Sequence, residues 1–99
     1  MHARMFEFEG SVEEIDAAVA LAREQLLPLE RQMPGFRGLI LLADREAQRL
    51  VSVSLWEGEE EMQQSEASAR MLTRLGAQSI GGKRVGAEPF EVALFELSS

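Results

Sequence analysis

The sequence predicts an α+β domain of ferredoxin-like βαββαβ type, an antiparallel four-stranded sheet with two helices on one face. Three observations carry that prediction. Apolar residues alternate at period two in some stretches and recur at helical spacing in others. The stretches follow one another as strand, helix, strand, strand, helix, strand, the order of the split βαβ unit. The two middle strands are joined only by the short connection DREAQR, so they pair as an antiparallel hairpin.

Each element has its own justification. His2 to Glu9 mixes apolar and polar residues at period two and ends at Gly10, a first strand. Ser11 opens a helix through the capping box SVEE, in which the Ser11 hydroxyl accepts from the amide three residues on and Glu14 reaches back to the Ser11 amide. Val12, Ile15, Val19, Ala22, Leu26 and Leu29 then recur at helical spacing as one buried face. Pro28 removes a donor and clashes with the preceding turn, so the helix should kink or loosen around Glu24 to Leu27 and finish near Met33. The second and third strands are Phe36 to Ala43 and Leu50 to Trp56. Gly58 starts a second helix running to about Leu75, with Glu59, Glu60 and Glu61 at the positive end of its dipole, a solvated helix start. Met62, Ser65, Ala69 and Leu72 give it a narrow packing stripe, and Met71 packs as well. GGKR, Gly81 to Arg84, reads as a mobile connection, and Pro89 to Leu97 as the last strand.

Composition bounds what such a domain can do. The whole chain, 1–99, is a single domain, at a size where one core is thin and association adds buried area. Cysteine is absent, which excludes disulfides, thiolate catalysis and cysteine-ligated zinc. A formal charge of −7 repels nucleic-acid phosphates and anionic membranes, so neither is an expected partner. No apolar run spans a bilayer, and MHARMFEFEG carries acidic residues where a signal peptide would be apolar. A cytoplasmic location is expected.

Two helices cover one face of a four-stranded sheet, yet the second and fourth strands are apolar on both sides. The economical cover for the open face is a second copy of the chain, packed sheet to sheet as a dimeric α/β barrel around a cavity.

MPGFRGLILLADREAQRLVSVSLWEGEEEM resembles the antibiotic biosynthesis monooxygenase-like family of the dimeric α+β barrel superfamily, which has a Pro-Gly-Phe turn, an apolar hairpin and a Leu-Trp-Glu junction between strand and helix. The resemblance extends over nearly the whole chain. It implies a homodimer and, among activities that vary widely, cofactor-independent oxidation of quinol-like aromatic molecules, with no metal and no cofactor. It places Trp56 at the border of the substrate cavity. The heme-degrading branch uses a first-strand asparagine, a second tryptophan and a histidine on the second helix. This chain has no asparagine, one tryptophan and no histidine but His2, so heme chemistry is not expected. Tyrosine is also absent, and polar contacts to a phenolic ligand must come from Ser, Arg, Gln, Glu or backbone.

The expected ligand-binding residues are Trp56, Ser54, Ser52, Arg4 and Phe6; no catalytic residue is assigned. Alternation puts Val51, Val53 and Leu55 on one face of the third strand and Ser52, Ser54 and Trp56 on the other. The branched set is expected beneath the helices and Trp56 toward the dimer cavity, as ligand contact or as interface packing. Arg4 and Phe6 share a face with His2 and Phe8, while Ala3, Met5 and Glu7 share the other; which set lines the cavity stays open. Arg4 fits an anionic or phenolate group or a solvent-facing ion pair. His2, the one histidine, is a candidate acid or base or an ordinary edge residue. Two functions follow: a cofactor-independent monooxygenase acting on a small, flat, largely apolar molecule, or a non-catalytic binding or structural dimer.

Overall fold

The computed structural model describes residues 1–65 and 83–98. Four strands, β1 (His2–Glu9), β2 (Phe36–Asp44), β3 (Arg49–Trp56) and β4 (Lys83–Glu91), form one antiparallel sheet in the order β2-β3-β1-β4. That is the predicted ferredoxin-like arrangement. The hairpin closes through Arg45 to Gln48, where Gln48 takes a φ of 56° and the Asp44 carboxylate accepts from the Ala47 amide at 3.0 Å.

The first helical region is built as the sequence demands. Ser11 accepts from the Glu14 amide at 3.2 Å and Glu14 accepts from the Ser11 amide at 2.8 Å, completing the capping box of α1 (Val12–Leu21). Ahead of Pro28 the helix widens into a π turn over Ala22–Leu26, then closes as α2 (Leu27–Glu30). The loosening falls where the missing donor and the ring clash of Pro28 require it. The π turn also corrects the predicted stripe. It inserts roughly one residue into the helical register, so Leu29 is 47% exposed while its neighbour Glu30 is partly buried. Val12, in the first turn, is exposed too.

Helix α3 (Glu59–Gln64) starts at Gly58 with the three glutamates in its first turn. The expected continuation to Leu75, with Ala69, Met71 and Leu72, and the glycines of GGKR lie outside the described residues. Lys83 and Arg84, expected in a connection, open β4 instead, and that strand ends at Glu91 rather than Leu97. A residue is inserted on β4 between its pairings with Met5 and Glu7, and Gly86 there has a φ of 67°. Pro89 is tolerated because β4 is an edge strand.

The core joins α1 to the sheet through Phe8, Ile15 and Leu50, with Ala18, Val19 and Leu41 packed around them. Phe8 stands opposite Leu50, and Leu41 opposite Ser52. The alternating set His2, Arg4, Phe6, Phe8 and its partners Leu50, Ser52, Ser54, Trp56 therefore face the helices. This reverses the expectation for β3: Val51, Val53 and Leu55 lie on the open face, and Trp56 points inward. The reason is the cross-strand register, which couples Trp56 to the side of the sheet that buries Phe8.

Candidate functional site

All five residues expected to bind ligand come together on one face. Arg4 pairs with Ser54 and Phe6 with Ser52, while His2 stands opposite Trp56. The space between sheet and helices is thus graded. Phe8, Ile15 and Leu50 make it apolar at one end, and His2, Arg4, Ser54 and Trp56 make it polar at the other. Ser52 and Phe6 occupy the boundary.

Trp56 is 1% exposed and is held on three sides. Its indole N–H donates to the Ser54 hydroxyl at 3.0 Å. The Phe36 ring meets it edge-on, with centroids 5.4 Å apart and planes at 70°. The Arg4 guanidinium lies 5.8 Å from its ring centroid, a cation–π distance. The PGF turn places Phe36: Gly35 takes a φ of 78° that admits the tight turn, and its carbonyl accepts from the Glu57 amide at 2.7 Å.

Arg4 is 8% exposed, so it does not make the solvent-facing ion pair that was one expectation. Its Nη2 donates to the Met62 carbonyl and, at 3.2 Å, to the Ser65 hydroxyl, which itself donates to the Met62 carbonyl at 2.7 Å. The guanidinium therefore ties β1 to α3 while lying over the indole ring. A buried cation with charge-assisted bonds of this kind orders the groups around it.

Two further groups at this end escape the sequence pattern. Glu30 is turned inward by the π turn, and burial pushes its carboxyl above the ordinary 4.5, with the nearby Arg4 charge acting in the opposite direction. Regular helical spacing left it beside the stripe; the signal for it was Pro28, which forces the register change. The second is His2, whose Nδ1 is buried without a hydrogen-bond partner among the described residues. Among those residues no group of three or more His, Asp or Glu is disposed to hold a metal ion, and no helix is long and apolar enough to cross a membrane.

With this geometry in place, the likeness to known proteins can be stated. No family model matches the chain. Two uncharacterized proteins of Mycobacterium tuberculosis, Rv2557 and Rv2558, are each 30% identical to it, over 93 and 95 residues, or 94% and 95% of this chain. The chain spans only 41% and 39% of their lengths. Among solved structures, the ActVA-Orf6 monooxygenase of Streptomyces coelicolor, in complex with nanaomycin D, superposes with a TM-score of 0.76 at 20% identity, covering 99% of this chain and 92% of that one. SnoaB, a cofactor-independent oxygenase of Streptomyces nogalater, gives 0.64 at 16% identity, covering 95% and 92%. Sheet order, helix placement and these superpositions agree: the chain has the ferredoxin-like α+β fold of the antibiotic biosynthesis monooxygenases.

Proposed function

We propose that the chain binds a small, flat, largely apolar aromatic or quinol-type molecule at the polar end of the space between sheet and helices, beside Trp56, and oxidises it with O₂ without metal or flavin. The observation that carries this reading is Trp56 itself, an indole fixed by Ser54, Phe36 and Arg4 where an apolar core meets polar side chains. That combination suits a flat ligand with a hydroxyl at one edge. The fold shared with ActVA-Orf6 and SnoaB supports the reaction class by analogy. For an anthrone, one oxygen atom becomes the new ring carbonyl and the other leaves in water, with all four electrons supplied by the substrate.

One observation favours a second reading, a binding dimer without turnover. The polar groups of Arg4, Ser54 and Trp56 have partners within the chain, as a structural cluster requires. Oxygen uptake with anthrone separates the two. The enzyme reading expects uptake above the uncatalysed rate, falling at least tenfold in Trp56→Phe, which keeps an aromatic ring and loses the indole N–H. Uptake equal to the control excludes it; saturable quenching of Trp56 fluorescence by the same aromatic molecules then identifies a binding protein.

In the same reading the chain works as a homodimer, a second copy covering the open face of the sheet. Ile40, Leu42 and Phe90 are exposed there, an apolar surface expected to associate.

A further inference from the structure

We propose that His2 is the group that takes the proton from a ligand hydroxyl bound beside Trp56. The proposal rests on the ligand site described above and assigns it a proton acceptor.

Three observations converge on this histidine. In the β1–β3 register His2 stands directly opposite Trp56, on the face turned toward the helices, so its imidazole belongs to the same end of the interior as the indole. Its Nδ1 is buried and meets no hydrogen-bond partner among the described residues. Buried polar atoms are nearly always paired, so one that is not calls for an explanation, and a hydroxyl bound beside it would supply one. The neighbouring polar side chains are already committed: Trp56 donates to Ser54, and Arg4 donates to Met62 and Ser65. His2 is the one that offers an unmet atom.

The chemistry follows from the ring. A neutral imidazole with its hydrogen on Nε2 presents a lone pair at Nδ1, which accepts from a phenolic O–H. As the proton moves, the O–H bond breaks and an N–H bond forms on Nδ1, leaving a phenolate and an imidazolium; nothing else is consumed. Histidine is suited to this because it changes charge within the neutral range. The charged groups that bear on the step are Arg4, two residues along the same face, whose positive charge favours the phenolate; Glu91, opposite His2 on β4; and Glu30 on α2, within the field of Arg4. An electron-rich phenolate is also the form that transfers electrons to O₂ most readily, which links this step to the proposed oxidation.

The test uses juglone, a hydroxylated naphthoquinone whose visible absorbance reports its ionisation; the chain has no cysteine to alkylate. Binding is followed by Trp56 fluorescence and ionisation by the absorbance of the bound dye across pH, in the parent chain and in His2→Asn, His2→Ala and Glu30→Gln. Thermal unfolding midpoints verify that each variant folds. The parent is expected to bind saturably and to ionise juglone at a lower pH than free dye. His2→Asn, which retains a hydrogen-bonding group near Nδ1 but cannot take a proton, should bind within threefold of the parent and lose most of the downward shift, keeping only what the Arg4 charge supplies. His2→Ala should bind at least tenfold more weakly. If both His2 variants bind and ionise the dye as the parent does, or if only Glu30→Gln loses the shift, the assignment to His2 is overturned while the ligand site stands. Absence of saturable binding in the parent overturns the ligand site itself.

Discussion

Glu30 shows how one residue of local geometry changes the chemistry of a site. Its carboxyl is pushed above the ordinary 4.5 mainly by burial, with Arg4 opposing. A carboxyl whose folded value lies above its unfolded one binds more protons in the folded state between the two values. Its protonation therefore favours folding at low pH, and that contribution is lost as pH rises from 4.5 through the raised value. Glu30→Gln removes the titration. The variant should unfold at a higher temperature than the parent at neutral pH, and the difference should shrink toward zero below 4.5; equal midpoints across that range would show that Glu30 carries no desolvation cost. Trp56 gives the complementary lesson. Its place at the end of β3 was legible, but its direction was not. Val51, Val53 and Leu55 look like core residues, and only the pairing of Phe8 with Leu50 and Ile15 fixes which face is inside.

The elements were more legible than the side-chain directions, because local chemistry decides them. The capping box at Ser11 and Glu14 and the loosening before Pro28 both occur where the sequence demands. The end of β4 was not legible, since the alternation of PFEVALFEL continues past Glu91 whereas pairing with β1 stops near Met1, whose carbonyl accepts from the Val92 amide at 2.9 Å. Strand length is set by the partner. At the PGF turn the sequence is again decisive. Gly35 holds a φ of 78°, and a β-carbon there would lie 2.6 Å from Cγ and 2.7 Å from Cβ of Glu61. Left-handed backbone costs a non-glycine residue roughly 1–2 kcal/mol before any clash. Gly35→Ala should thus lower stability by about 2 kcal/mol or more, read as a drop in the urea midpoint at unchanged m-value. A loss under about 0.5 kcal/mol, the range of a neutral surface substitution, would mean that the turn and Glu61 relax freely.

For the whole molecule the decisive fact is the face the helices leave uncovered. Ile40, Leu42 and Phe90 are exposed on it, Met5, Val51 and Val53 are half-buried, and Ala3 and Leu55 are already buried within the chain, with the exposed Glu7–Arg49 ion pair, 2.7 Å, toward one end. Beyond β4 the chain continues as an apolar tail, with Leu94 83% and Leu97 80% exposed and Phe95 also open to solvent. A chain of −7 charge keeps such surface in water only at a cost, and association removes it. A second copy of the sheet offers the same patch on a twofold axis, where residue i of one copy meets residue j of the other and the reverse. Light scattering on the purified chain should then give twice the 11.0 kDa monomer mass. Leu42→Glu combined with Val53→Glu places two carboxylates per copy in the buried sheet face and should give monomer. Removal of residues 92–99 should weaken the dimer at least tenfold if the tail packs against the partner. A dimer unchanged by the paired glutamates would move the interface off the open face, and one unchanged by the truncation would leave the tail outside it.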